Sequence, residues 1–139
     1  MFETVVIATD TSQSAERAVT VALDLAGRFD ASVHVLSVVG RDDDDHEQRV
    51  RTELARFGSR ADRPVTTAVR RGDPAETILE YAERTDADLV AVGTRGRDSP
   101  YSYHLGSVAE HVAHNCPTPV LTVRSLKAED GDGDSATLA

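Results

Sequence analysis

The chain has 139 residues and a formal net charge of −9, because 24 acidic residues outnumber 15 basic ones, of which only one is lysine. The length predicts one domain. The charge is typical of a protein from a very salty cytoplasm or simply of an acidic cytosolic protein, and it argues against nucleic acid and anionic membranes as partners. A single cysteine, Cys116, excludes an internal disulfide, and no apolar run approaches the ~20 residues of a membrane span.

Short apolar runs alternate along the chain with amphipathic stretches. The runs, rich in β-branched residues, predict strands at 4–9, 33–39, 65–69, 89–92 and 120–123. The amphipathic stretches predict helices at 15–29, 42–61, 74–84 and from 105 or 106 to 114. Ser12 or Ser14 is expected to cap the first helix, and Asp73 with Pro74 and Glu76 predicts a capping box for the third. The first strand begins close to Met1 without a cationic segment before it, so we expect a cytoplasmic protein without a secretory signal.

This alternation predicts the fold class. Strands that alternate with helices form an α/β fold with a parallel sheet, right-handed crossovers and helices on both faces. Residues 1–126 are expected to form this domain, and residues 127–139 an acidic, disordered tail. Ligands of such sheets bind beyond the carboxyl ends of the strands, which directs attention to residues 10–12, 38–41, 70–73 and from 93 onward.

Three common nucleotide or catalytic motifs are missing from the sequence. A P-loop needs a lysine after its glycines, but the only lysine, Lys127, follows the last strand. A dinucleotide fingerprint needs glycines in the first strand-to-helix turn, which has none, and no G-x-S-x-G elbow occurs. P-loop NTPases, dinucleotide-binding enzymes and α/β-hydrolases are therefore not supported.

The segment after the fourth strand is the best candidate for a ligand site. Gly93 and Gly96 are predicted to adopt positive φ and to let the backbone approach a ligand. Gly106 and Ser107 begin the last helix, where free amides and a hydroxyl suit phosphate oxygens, and Arg95 adds positive charge. Taken by itself, the spacing of these glycines fits ordinary turn and cap residues as well as it fits a phosphate site.

The spacing G-x-x-G, nine residues, then G-S, resembles the nucleotide-binding branch of the universal stress protein family. The likeness extends over residues 2–125 and includes the first strand ending near Asp10, the run V-G-T-R-G-R, the helix start G-S-V-A-E-H-V and the final Cys116 to Val123. It implies a Rossmann-like, adenine nucleotide α-hydrolase-like sheet of order 3-2-1-4-5. It also implies a homodimer formed through the last strand.

The resemblance further implies that the chain binds ATP or AMP, with Mg²⁺ as a candidate companion of ATP. Matching positions place Ala8 and Asp10 beside the adenosine and the Val38 backbone on the adenine. Val92 and Gly93 then flank the ribose, and the phosphates lie on Gly96, Gly106, Ser107 and Val108. Asp10 also has an alternative interpretation as the N-cap of the first helix. Asp98 and Pro100 depart from the family pattern and bear on how a triphosphate binds.

Other clusters have weaker interpretations. His111, His114 and Cys116 allow a metal site, but surface histidines at a helix end explain them better. The Asp-Gly repeat at 130–134 lacks the glycine and the twelfth ligand of a calcium loop. Tyr101 and Tyr103 fit either a lid over the phosphates or a partner surface.

Three functions remain open. We expect a regulatory or protective stress-response dimer that binds an adenine nucleotide, with no catalytic residue assigned and slow ATP hydrolysis still compatible. The first alternative is a nucleotide-free dimeric interaction module of the same fold. The second is an ATP-using transferase, against which the missing S-G-G-x-D-S loop argues.

Overall fold

Strands and helices alternate throughout the part of the chain that the structure describes. The computed structural model describes residues 2–10, 13–40, 44–94 and 106–124. The elements are β1 (Thr4–Ala8), α1 (Gln13–Phe29), β2 (Ser32–Val39), α2 (Asp44–Arg60), β3 (Val65–Arg71), α3 (Pro74–Arg84), β4 (Leu89–Thr94), α4 (Ser107–Asn115) and β5 (Val120–Arg124). The predicted number and order of elements are confirmed, and the predicted tail lies outside the described residues.

The five strands form one parallel sheet in the order β3-β2-β1-β4-β5. In the centre of the sheet, Ala8 of β1 stands opposite Leu36 of β2 and Val92 of β4. The strand order reverses between β1 and β4, and sheets of this kind bind ligands in the crevice beyond the carboxyl ends of the strands at such a point. The parallel α/β fold of order 3-2-1-4-5 is therefore confirmed.

The sheet separates two apolar layers, because successive side chains of a strand point to opposite faces. Val5 and Ile7 of β1 belong to the layer covered by α1 and α2, whereas Val6 belongs to the layer covered by α3 and α4. The helices add fully buried residues to these layers, such as Val19 and Val112. Each buried side chain of this size contributes about 1.5–3 kcal/mol. Helices on both faces are thus confirmed.

Two strands continue for two residues beyond their predicted ends. β3 reaches Arg71, and β4 runs through Gly93 to Thr94, where irregular chain was expected. Gly93 and Thr94 stay in the strand because β5 pairs with both of them. The amide of Thr9 donates to the Leu36 carbonyl at 2.9 Å, although β1 itself ends at Ala8.

The helix starts match the predicted caps in part. Asp73 accepts a hydrogen bond from the Glu76 amide at 3.0 Å, and Pro74 opens α3 as expected. Ser14 is wrong as a cap, because α1 begins one residue earlier, at Gln13. Ser12, the other candidate, lies outside the described residues.

Two helices end on an aspartate in the left-handed conformation, namely Asp30 after α1 (φ 55°) and Asp86 after α3 (φ 58°). At the end of α3, the Ala87 amide donates to the Ala82 carbonyl at 2.9 Å and the Asp86 amide to Glu83 at 3.2 Å. This is the Schellman arrangement, in which glycine is the usual residue.

A carboxylate holds the start of β1 at the amino edge of the sheet. Asp88, which precedes β4, accepts hydrogen bonds from the amides of Glu3 at 2.9 Å and Thr4 at 3.0 Å. Its own amide donates to the Thr4 carbonyl at 2.8 Å. The beginning of β1 is therefore fixed to the start of β4, the strand beside it.

Candidate functional site

The sheet brings several of the predicted site residues to the crevice between β1 and β4. Ala8 ends β1 half-buried, and Val92 of β4, buried, stands directly opposite it. Both lie at the carboxyl edge, because parallel strands finish at the same side of a sheet. Two predicted nucleoside contacts are thus neighbours in space.

The predicted adenine side of the site lies on the next strand. Val38 is half-buried on β2, two residues beyond Leu36, which pairs with Ala8. Asp10 follows β1 with an exposed side chain, near this end of β2. Residues 11 and 12, between Asp10 and Gln13 of α1, lie outside the described residues, so the alternative of Asp10 as the N-cap stays a prediction.

The start of α4 has the backbone geometry of an anion-binding helix end. Gly106 is its N-cap, with φ 93° and ψ 151°, and it supplies no side-chain bond to the first turn. Its carbonyl accepts a hydrogen bond from the Glu110 amide at 2.9 Å, so regular α-helical bonding starts at the cap and the first helical residue is the exposed Ser107. The amides of a first helical turn have no partner within the helix and, with the helix dipole, attract anions. Val108 packs against the apolar layer that contains Val92.

Gly93 has a different environment from the one predicted. Positive φ at this position is wrong: among the described glycines, Gly72 and Gly106 have it, whereas Gly93 is part of β4. A Cβ atom on Gly93 would lie 3.3 Å from the Cβ of Ala18 and 3.9 Å from the Val123 carbonyl oxygen. The missing side chain therefore makes room for α1.

The remaining predicted residues of the loop are Arg95 and Gly96. Both lie outside the described residues, as do the departures from the family pattern at Asp98 and Pro100 and the two tyrosines at 101 and 103. Their predicted roles stay predictions.

The β2 side of the crevice is bordered by an ionic cluster that the sequence did not reveal. Arg71, the last residue of β3, contacts Asp44 and Glu47 in the first turn of α2, and Arg51 also binds Glu47. These bonds, first from Arg51 and then from Arg71, hold the pKa of Glu47 below its usual range. Arg71 lies in a segment where ligand contacts were expected, but its partners are on another element, and no spacing pattern indicates them.

A comparison of the chain with models of protein families shows which family it belongs to. The family model described as the universal stress protein family matches residues 1–124. The chain belongs to this family.

Curated and solved universal stress proteins resemble it over most of their length. One from Methanocaldococcus jannaschii is 32% identical over 146 residues, which cover 93% of this chain and 86% of the relative. One from Thermus aquaticus is 35% identical over 137 residues, covering 89% of this chain and all (100%) of the relative. A solved universal stress protein in complex with cAMP is 28% identical, with a TM-score of 0.73 over 89% of this chain and 98% of its own.

The histidine and cysteine positions of this universal stress protein do not converge. His111 and His114 are exposed on α4, and the Cys116 sulfur lies 3.1 Å from the Thr118 hydroxyl oxygen. Within residues 2–10, 13–40, 44–94 and 106–124, no group of three or more His, Cys, Asp or Glu side chains is placed to hold a metal ion. In the same ranges, no helix has the length and apolar character needed to cross a bilayer.

Proposed function

We propose that this universal stress protein binds an adenine nucleotide, ATP or AMP, at the carboxyl edge of its sheet between β1 and β4. The nucleoside contacts are assigned to Ala8, Asp10, Val38, Val92 and Gly93. The phosphates are assigned to the start of α4, at Gly106, Ser107 and Val108, together with Gly96 and Arg95 from the preceding loop. Mg²⁺ is expected to accompany ATP, since it commonly binds through the phosphates of its nucleotide.

The observation that carries the proposal is the conformation of Gly106. A φ of 93° is open to glycine and strained for other residues. With no side chain at the cap, no carboxylate or hydroxyl of the cap residue competes for the first amides of α4. An anion supplied from outside is the natural partner for such a helix end.

The neighbourhood of this helix end supports the choice of a nucleotide over a free anion. Ala8 and Val92 form a short, apolar floor at the same edge, and Asp10 supplies an exposed carboxylate beside it. An apolar floor suits a flat base and sugar, and a carboxylate accepts hydrogen bonds from ribose hydroxyls or an adenine amino group. The relative solved with cAMP also carries an adenine nucleotide.

We assign the protein a regulatory or protective role in the stress response, as a cytoplasmic homodimer paired through β5. β5 is an outer strand of the sheet, and pairing with a second copy would cover its open edge. The proposal assigns no catalytic residue. Slow ATP hydrolysis is tested by incubation with ATP and Mg²⁺.

The decisive experiment substitutes the cap glycine. We expect Gly106→Val to weaken ATP and AMP binding at least tenfold in calorimetric titration, because valine strains the left-handed backbone and projects a branched side chain beside the phosphate seat. Gly58→Ala is the matched control, since Gly58 lies on α2 outside the proposed site and a Cβ there would make an ordinary contact, 3.9 Å from Thr67 Cγ2. Circular dichroism checks that both variants keep the helical content of the wild type.

The same preparation tests the alternatives. Protein purified in high salt and then denatured should release adenine nucleotide, detected by chromatography. Unchanged affinity in Gly106→Val would contradict the assigned phosphate seat. Absence of any nucleotide binding by the wild type would contradict the proposed function and favour a nucleotide-free interaction module of the same fold.

A further inference from the structure

One arginine connects the end of β3 to the beginning of α2. Arg71 Nη2 lies 2.7 Å from Asp44 Oδ1, and its Nε lies 2.8 Å from Glu47 Oε1, which Nη2 also contacts. The other carboxylate oxygen of Glu47 accepts two bonds from Arg51, at 3.0 and 2.8 Å. One guanidinium thus binds two carboxylates on a neighbouring element.

The end of β2 and the start of α2 both lie beside this arginine. Val39, the last residue of β2, pairs with Arg71 in the sheet, and its carbonyl accepts a bond from the Gly72 amide at 3.2 Å. Asp44, the first residue of α2, binds the Arg71 side chain. Both ends of the connection are therefore held to the same end of β3.

The chemistry of the cluster requires arginine. A planar guanidinium can donate to two carboxylates at once, whereas a lysine ammonium acts as a single point charge on a flexible chain. Asp44 first and Glu47 second raise the pKa of Arg71 further, so its charge is permanent. The side chain of Glu47 is only 16% exposed, which places the centre of the cluster against the fold.

This cluster lies near the adenine end of the proposed nucleotide site and away from the phosphate end. Val38, assigned to the adenine, is adjacent to Val39, which pairs with Arg71. The phosphate seat on α4 lies beyond the other side of the crevice, since β2 and β1 separate β3 from β4. A change at Arg71 should therefore affect the base and leave the phosphates unaffected.

We infer that the first turn of α2, from Asp44 to Glu47, forms the wall beside the nucleotide base, next to Val38. Arg71 is then a positioning residue for the base, because it holds this wall to the end of β3. This inference rests on the proposed adenine nucleotide site. Arg71 itself does not touch the ligand. It acts through the placement of the chain on either side of the β2–α2 connection.

The test compares a complete ligand with one that lacks the base. Calorimetric titrations with AMP and with ribose 5-phosphate are made on the wild type, Arg71→Ala, Arg71→Lys and Arg51→Ala. We expect Arg71→Ala to weaken AMP binding about five- to tenfold while ribose 5-phosphate changes less than about twofold, since ordering of the base wall is then left to the ligand. Arg71→Lys should recover part of the loss.

Arg51→Ala is the matched control, because it removes two bonds to Glu47 but leaves the link between α2 and β3 in place. Its AMP affinity should stay within about twofold of the wild type. In the nucleotide-free protein, amide exchange of the first turns of α2 should accelerate in Arg71→Ala and not in Arg51→Ala.

The outcomes separate this inference from the proposed function. Failure of the wild type to bind AMP overturns the proposed function and the inference with it. Wild-type binding that Arg71→Ala leaves unchanged overturns the inference alone. Equal losses for AMP and ribose 5-phosphate also overturn it, because they indicate general loosening instead of a base-specific effect.

Discussion

The glycines at the two ends of the loop motif meet different physical requirements. Gly106 has a backbone conformation that other residues adopt only under strain, with φ at 93°. Gly93 lies in a strand and is needed because the Cβ of Ala18 stands 3.3 Å from the place of its missing side chain. Substitutions at the two positions should therefore fail for different reasons, the first in binding and the second in packing.

We predict that Gly93→Ala destabilises the fold by about 1–3 kcal/mol, the usual range for an extra methyl group in a packed interior. Removing the opposing methyl group should relieve the conflict. Ala18→Gly alone should cost about 1 kcal/mol, because glycine is a poor helix former. The double variant Gly93→Ala/Ala18→Gly should lose less free energy of unfolding than the two single variants lose together.

Urea unfolding of the four proteins measures this coupling. A favourable interaction of at least about 0.5 kcal/mol in the double variant is expected for residues in direct contact. Strictly additive losses would contradict the contact between α1 and β4 as the reason for a glycine at 93.

These positions also show what the sequence reveals of the site. The glycine-serine pair at 106 and 107 predicted the helix start correctly, because the signal is local. Gly93 was predicted to adopt positive φ, but its requirement comes from Ala18, which lies far earlier in the chain. Arg71 was missed for the same reason, since its partners Asp44 and Glu47 become neighbours only in the folded sheet.

The helix ends illustrate the same distinction between local and distant signals. The start of α3 was predictable from Asp73, Pro74 and Glu76, which act within one turn. The ends of α1 and α3 carried no glycine to mark them, and Asp30 and Asp86 adopt the left-handed conformation instead. β4 was predicted two residues short because its pairing with β5 extends it through Gly93 and Thr94.

We predict that Asp86→Gly stabilises the protein by about 0.5–1 kcal/mol, because glycine adopts the left-handed conformation without the steric cost that aspartate bears. Asp86→Ala should have the opposite sign, since alanine keeps the Cβ atom and lacks a polar side chain for local hydrogen bonds. Thermal and urea unfolding measure both effects. Destabilisation by glycine would mean that the Asp86 side chain contributes more than its backbone strain costs.

As the pH falls, the whole molecule should lose stability in two windows, because the pKa values of two described groups are lowered in the folded protein. His34 of β2 packs against α3, with Nδ1 2.8 Å from the hydroxyl oxygen of Tyr81, and its burial lowers the pKa of the imidazole below 6.5. The pKa of Glu47 is likewise lowered below 4.5 by its bonds to Arg51 and Arg71. For both groups the unfolded chain binds a proton more readily than the folded protein, so protonation favours unfolding.

We predict that the free energy of unfolding falls as the pH drops through and below 6.5, and that His34→Gln flattens this slope. Neutral His34 can accept a hydrogen bond from the Tyr81 hydroxyl. Glutamine can accept the same bond, but it has no group that titrates in this pH range. Urea unfolding at pH 7.5 and 5.5, in one salt concentration, measures the slope. His114→Gln is the matched substitution, because it makes the same exchange at an exposed position on α4, away from Tyr81.

The hydrogen bonds from Glu3 and Thr4 to Asp88 have a practical consequence for attaching the protein to a surface. They fasten the start of β1 at the amino edge of a sheet whose strands rise about 3.3 Å per residue, so the five residues of this strand place the opposite edge roughly 17 Å away. A sensor chip that captures the molecule through its first residues should thus leave the proposed nucleotide site turned toward the flowing solution. Capture at Arg124, where β5 ends, should bring the chip to the side of the proposed site.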